Sequence, residues 1–235
     1  MKKIASDVDI WLSRETVHTR KALENASSYF DNKDVLTVNT LEAIYGQESS
    51  FGTQLRKRGI KGAAGEFHLQ KDTAERYQLI VSKTNDQRFD IDYASTASAR
   101  YLKELDTMYA KRTILAANRV TIPIKSSLDR KMFVLAAYNA GEGTIAFAQS
   151  LAQQAGEDPT DWNNVQEFLS ATSIKPEKVT QIRQYVDNVL KNEAEFAIKS
   201  LADKAAKNKK VHKPKTPCTS GHWITKDGHH IFICD

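Results

Sequence analysis

Apolar residues in the first 200 positions recur at three- and four-residue spacings, while alternating β-branched runs are scarce. A chain patterned this way buries one face of each segment only by folding as helices. The spacing predicts a helix over 6–30, with Val8, Leu12, Leu23 and Phe30 turned inward. It predicts another over 36–49, with Leu41, Ile44 and Tyr45 on one stripe, and a third over 71–82, opened by Asp72 or Thr73. A fourth is expected over 92–110, with Tyr93, Ala97, Tyr101, Leu105 and Met108 in register. A fifth covers 128–140, with Met132, Leu135, Ala136 and Asn139 on one face. Asp158-Pro159-Thr160-Asp161 has the proline-early pattern of a helix start. A last helix begins near Pro176, carries the stripe Val179, Ile182, Val186, Val189 and Leu190, and is expected to reach about residue 205.

The 235 residues suffice for one full core with a small appendage. No stretch approaches the roughly 18 uninterrupted apolar residues of a membrane span. The start, Met1-Lys2-Lys3-Ile4-Ala5-Ser6-Asp7-Val8-Asp9, is basic, but Asp7 and Asp9 interrupt any apolar region behind it. Export is therefore expected by another route, after removal of a signal, or through a partner system.

The net charge of +5 is uneven: residues 201–235 hold seven lysines against three acids, and the first 200 residues are nearly neutral. Such a tail suits nucleic acid, an anionic membrane or acidic wall polymers, and equally a solvated linker. Within it, residues 205–217 are lysine-rich and carry Pro214 and Pro217, which predicts a linker. Beyond that, Trp223-Ile224-Thr225 and Ile231-Phe232-Ile233 flank Asp227-Gly228, a hairpin signal. Cys218 and Cys234 are the only cysteines, and one disulfide across the hairpin's open end is expected. Zinc held by Cys218, His222, His229, His230 and Cys234 is the alternative. Its spacing fits no standard zinc pattern, so no metal and no cofactor is expected.

Three blocks carry the chemistry. Glu48 extends the stripe of Leu41 and Ile44 at i+7 and i+4, which turns a carboxylate toward the buried face. Apolar surroundings favour the neutral carboxyl, as a general acid for glycosidic cleavage requires; the plainer reading is a helix-end glutamate in water. Gly62-Ala63-Ala64-Gly65-Glu66-Phe67-His68-Leu69-Gln70 combines small residues with a following helix. In Ala137-Tyr138-Asn139-Ala140-Gly141 a helix ends in glycine with two polar side chains on its last turn.

In this order and spacing the blocks Glu48-Ser49-Ser50-Phe51, Gly62 to Leu69 before Thr73-Ala74, and Ala137 to Gly141 resemble the soluble lytic transglycosylase family, over roughly residues 35–150. The resemblance implies a mainly α, lysozyme-like helical domain. Flanking it are an N-terminal helical segment (1–34), a helical extension (151–204), the basic linker (205–217) and the Cys-flanked β-hairpin (218–235). It also implies cleavage of the β-1,4 bond between N-acetylmuramic acid and N-acetylglucosamine, with a 1,6-anhydro product and Glu48 as acid and then base. Ser50, Glu66, Phe67, His68, Gln70, Tyr138 and Asn139 fall where the family lines its sugar groove. The family's glutamine is replaced by His68, its leucine by Glu66 and its methionines by Phe67 and Gln70, so those contacts carry over as positions only.

Glu66 opens a second reading, a lysozyme-type muramidase that uses Glu48 with Glu66 and water. Against this stands the expectation that Glu66 faces solvent or touches substrate. The third reading is a catalytically weak wall-binding or particle-assembly protein. The expected partners are peptidoglycan strands and, through the basic tail, envelope, secretion-machine or virion proteins, with no nucleic acid. The expected setting is the periplasm or cell envelope, or a phage particle or secretion machine.

Overall fold

Serine, threonine and aspartate side chains set most helix starts in the computed structural model, which describes residues 5–31, 35–211, 221–226 and 229–234. Ser6 caps α1 (Asp7–Arg14) in a reciprocal box with Asp9, and Thr16 caps α2 (Val17–Ser27). The segment expected as one helix over 6–30 is therefore two. The Thr16 side chain satisfies the Thr19 N–H and its extended backbone breaks the run. Thr37 caps α3 (Val38–Ser49). Next comes α4 (Lys71–Arg76), shorter than the expected 71–82 because Tyr77 ends it and Gln78 turns into the left-handed region at φ 69°.

Asp90 caps α5 (Ile91–Ala110), and Ser126 caps α6 (Ser127–Ala140). Gly141, at φ 87°, ends α6 and leads directly into α7 (Glu142–Gln154). The Asp158-Pro159 signal is displaced. Asp158 accepts from Thr160 in a turn, and Asp161 caps the short α8 (Trp162–Val165). The chain continues through a 3-10 turn at Gln166–Thr172 into α9 (Pro176–Val211). Among the described residues no helix is long and apolar enough to cross a membrane.

The chain divides into two compact units, residues 1–197 and 198–235. In the first, α5 is the central helix, packed on α2 and α6. It buries Ala94, Ala97, Tyr101, Leu102, Leu105 and Tyr109, whereas Tyr93, expected inside, is exposed. Each fully buried aliphatic or aromatic side chain contributes about 1.5–3 kcal/mol. The stripe of α9 is buried as spaced: Val179, Ile182, Val186 and Val189 face the core, with Leu190 partly covered. Phe196 of α9 stacks on Trp11 of α1 and on Phe51, and Tyr45 and Phe67 extend that aromatic cluster. Lys131 of α6 bonds Glu193, which also accepts from Thr40. These contacts press α9, as far as Phe196, against α1, α3 and α6.

In the second unit, β1 (Gly221–Lys226) and β2 (His229–Cys234) pair antiparallel, with Trp223 opposite Phe232 and Gly221 opposite Cys234. The proposed Cys218–Cys234 disulfide and the histidine–cysteine zinc alternative lie outside the described residues and side chains.

Candidate active site

The end of α3 fixes the first functional side chain. Ser50, Phe51 and Gly52 all adopt positive φ, at 53°, 55° and 75°, so the helix stops abruptly one residue after Ser49. Trp11 Nε1 donates to Ser50 Oγ at 3.1 Å, and Arg14 Nη1 donates to the same oxygen at 2.8 Å. Ser49 Oγ accepts the Gly52 N–H. Glu48 is thereby held on the last helical turn, with a side chain 14% exposed. Leu41 and Ile44 of its stripe are fully buried, but the carboxylate itself faces polar groups rather than the apolar surroundings its spacing predicts.

The second element is the loop 54–70, and a buried ion pair shapes it. Arg88 is fully buried and meets Asp86 through two bonds, Nη2–Oδ2 at 2.8 Å and Nε–Oδ1 at 3.0 Å. Its remaining hydrogens reach the carbonyls of Ile60, Gly62 and Leu69 at 2.8–3.0 Å. Asp86 also accepts the Gly59 N–H. Burial raises the Asp86 pKa, but the bonds from Arg88 and Gly59 outweigh it and hold the carboxyl below the usual range. Gly65, at φ 81°, is required: a Cβ there would lie 2.0 Å from the Arg88 carbonyl oxygen. The loop is thus sewn down carbonyl by carbonyl, and His68, at φ 46°, projects from it toward Glu48.

His68 Nε2 lies 2.7 Å from the Gln54 carbonyl oxygen. Because that oxygen has no hydrogen to give, Nε2 carries the proton. Nδ1 then faces Glu48 Oε2 at 3.3 Å. From α6, Tyr138 donates to the Phe67 carbonyl, bonds Ser98 Oγ, both at 3.1 Å, and leans on Tyr101. Burial first, and then the charge of Glu48, push its pKa well up. Asn139 gives both its backbone and side-chain oxygens to Lys178 Nζ, at 3.0 and 2.8 Å.

These elements enclose a cleft of about 500 Å³ lined by Glu48, His68, Gln70, Tyr138, Asn139 and Lys178 among others. A second hollow of about 220 Å³ adjoins it, lined by Gln54, Gln184, Tyr185 and Asn188. Glu48, Arg56, His68, Asn139 and Gln181 border both, so Glu48 sits where the two halves of one groove meet.

Of the residues singled out in the sequence, Glu48, His68, Gln70, Tyr138 and Asn139 come together here. Ser50, Glu66 and Phe67 do not line either hollow. Ser50 anchors α1 to α3, and Phe67 is fully buried against Tyr45. Glu66 is neither solvent-exposed nor in the cleft. It is 9% exposed and accepts a 2.7 Å bond from Tyr45 Oη. Burial raises its pKa, the Tyr45 bond lowers it and Asp90 raises it further.

The sequence reading missed the contribution of α9. Lys178 and Tyr185 enter the groove from this helix. The Tyr185 hydroxyl is buried, makes no hydrogen bond of standard geometry and faces Glu48. Burial and the Glu48 charge push its pKa well up. The α9 stripe marked the buried face; Lys178 and Tyr185, each one residue before a stripe position (Val179 and Val186), were the available signal. A second carboxylate at the cleft, Glu142, is tied up: Tyr101 Oη donates to it at 2.9 Å and Arg76 at 3.2 Å. Among the described residues no group of three or more His, Cys, Asp or Glu is placed to hold a metal.

Residues 27–160 match the family described as the transglycosylase SLT domain. Similar curated proteins are called membrane-bound lytic murein transglycosylase F. One from Marinobacter nauticus is 51% identical over 138 residues, covering 56% of this chain and 25% of that protein. One from Enterobacter sp. strain 638 is 28% identical over 184 residues, covering 74% and 31%. One from Desulfosudis oleivorans is 29% identical over 130 residues, covering 55% and 24%. The chain thus spans about a quarter to a third of the length of these relatives.

Proposed function

Because this chain belongs to the transglycosylase SLT domain family, we propose that it cleaves the β-1,4 bond between N-acetylmuramic acid and N-acetylglucosamine in peptidoglycan. The product is a 1,6-anhydro muramyl end, and Glu48 acts first as acid and then as base. Glu48 gives its proton to the bridging oxygen, which leaves with the N-acetylglucosamine. The muramyl N-acetyl group supports the positive charge developing at C1. The C6 hydroxyl then attacks C1 and returns its proton to Glu48. No water is consumed, and the nucleophile belongs to the sugar itself, which gains from proximity.

The observation that carries this reading is that Glu48 is, among the described residues, the one carboxylate bordering both hollows of the groove. A muramidase of the two-carboxylate kind needs a second acid across the scissile bond. The candidate Glu66 is bonded to Tyr45 behind the cleft, and Glu142 is bonded to Arg76 and Tyr101. His68 and Tyr138 belong to the same reading as groups that orient Glu48 and the acetamido group. Gln70 and Asn139 serve as rim contacts.

The setting that follows is the cell envelope, with peptidoglycan strands as partner and the lysine-rich tail as a contact for wall or envelope components. Mass spectrometry of products from purified peptidoglycan tests the chemistry, with Glu48→Gln beside the wild type. Anhydro-ended muropeptides from the wild type alone are expected. Reducing-ended products would replace the transglycosylase reading with a hydrolase.

A further inference from the structure

Among the described residues, two cations border the groove without an ion pair of their own. The three hydrogens of Lys178 Nζ go to neutral acceptors: the Asn139 carbonyl at 3.0 Å, Asn139 Oδ1 at 2.8 Å and Gln181 Oε1 at 3.1 Å. Arg56 lies exposed at the border of both hollows, and its Nη1 donates to the Ala63 carbonyl at 3.2 Å. Among the described residues neither forms an ion pair, whereas the cleft acids are engaged, Glu48 with His68 and Glu142 with Arg76. When Glu48 holds the proton that cleavage requires, the groove carries two positive charges that no acid among the described residues pairs with. Half-burial penalises the charged form of Lys178, pulling its pKa down against the opposing pull of Glu48. An ammonium in that position recovers its lost solvation when an anion enters.

We propose that Lys178, supported by Arg56, binds a carboxylate carried by the glycan. The bond to Gln181 is the one a carboxylate oxygen displaces, since it is the longest of the three and Gln181 is exposed. Asn139 then keeps the ammonium aimed into the groove. The carboxylate has two possible sources in the wall: the lactyl group of a muramic acid that bears no peptide, and the free carboxyls of an attached peptide. This inference rests on the glycan-cleaving reading above and names what distinguishes the preferred strand from a neutral one.

The test uses the full chain with Glu48→Gln, so that strands remain intact, and measures binding to three probes. These are peptide-stripped glycan strands with free lactyl carboxylates, the same strands with those carboxylates converted to methylamides, and strands still bearing peptides. At least one carboxylate-bearing strand is expected to bind about tenfold more tightly than the methylamide strand, as a charge-assisted hydrogen bond supplies. Whichever of the two does so identifies the source. Adding Lys178→Met is expected to erase the difference, and Lys178→Arg to keep it. Equal binding of all three probes, or a Lys178→Met variant that weakens acid and methylamide strands alike, would overturn the proposal. Cleavage by the wild type is scored in parallel. Failure to cleave sinks the transglycosylase reading, while the binding comparison still decides the carboxylate.

Discussion

Nδ1 of His68 stands 3.3 Å from Oε2 of Glu48. Since Nε2 is committed to the Gln54 carbonyl, Nδ1 either accepts a proton from neutral Glu48 or donates one to its carboxylate. The backbone of Gln54 thereby fixes which ring nitrogen faces the Glu48 carboxyl. Glu48→Gln is expected to lower kcat on peptidoglycan by about 10²–10⁴-fold, the usual contribution of a positioned acid. His68→Ala leaves the carboxyl unheld and is expected to cost up to about 10²-fold, mainly in kcat. His68→Gln puts back the glutamine that the family resemblance implies at this position and is expected to recover most of that loss. Turnover measured on the three variants checks this, and a His68→Ala enzyme with unchanged kcat would remove His68 from the mechanism.

Tyr185 makes a prediction of opposite sign for stability and activity. Its buried hydroxyl has no partner at standard hydrogen-bond geometry and lies against Glu48 at the edge of the smaller hollow. Tyr185→Phe deletes that oxygen and keeps the ring packed, so thermal stability is expected to hold or rise. The same change removes the hydroxyl facing Glu48, and kcat is expected to fall. Thermal melts and turnover on one preparation separate the two effects; a variant that loses both stability and activity would mean the hydroxyl is structurally bonded.

The helices and the core were largely legible because burial imposes its period on the sequence: Val179, Ile182, Val186 and Val189 are buried as spaced. Breaks set by one side chain were less legible, as at Thr16, whose hydroxyl splits one expected helix into two. Within the site, Glu48, His68, Gln70, Tyr138 and Asn139 were found because three local blocks carry them. Local blocks do not say which neighbours point outward, so Glu66 and Phe67, just before His68, were placed in the groove when both are buried behind it. Long-range partners leave no local trace. Lys178 meets Asn139 across 39 positions, and Arg88 reaches Gly62 across 26.

The Tyr45–Glu66 bond separates the two glycosidase readings. Glu66 accepts from Tyr45 Oη at 2.7 Å and lines no part of the groove. Glu66→Gln keeps an acceptor for that hydroxyl and is expected to leave the cleavage rate within about threefold of wild type. Glu66→Ala empties a buried site and orphans the tyrosine, at a cost of about 1–3 kcal/mol in stability. If Glu66→Gln abolished cleavage while the protein stayed folded, Glu66 would be a second catalytic carboxylate and the muramidase reading would return.

Arg88 predicts how far the active loop depends on a residue that never touches the cleft. Removing its guanidinium strands the Asp86 carboxylate and the carbonyls of Ile60, Gly62 and Leu69. Breaking one side of a buried pair costs about 3–5 kcal/mol, so Arg88→Met is expected to unfold the loop that holds His68 and to drop the melting temperature sharply. Gly65→Ala presses a methyl group into the Arg88 backbone and is expected to act in the same direction. Melting curves check both, and an Arg88→Met protein as stable as wild type would show that the loop is held by other contacts.

Glu42 gives the pH dependence a definite sign. It is 1% exposed, it bonds Arg20 through one oxygen, and its Oε2 has no partner. Burial, only partly offset by Arg20 and reinforced by Glu15, raises its pKa from 4.5 to about 7. The folded protein therefore holds a proton that the unfolded chain releases across this window. The resulting stability is fully present below about pH 4.5 and is lost as pH rises through about 7. Its size is on the order of a few kcal/mol, so unfolding midpoints in urea are expected to fall between pH 5 and pH 8. Glu42→Gln carries no titrating proton, and its midpoint is expected to vary less over that range. Parallel slopes for wild type and variant would assign the pH dependence to other groups.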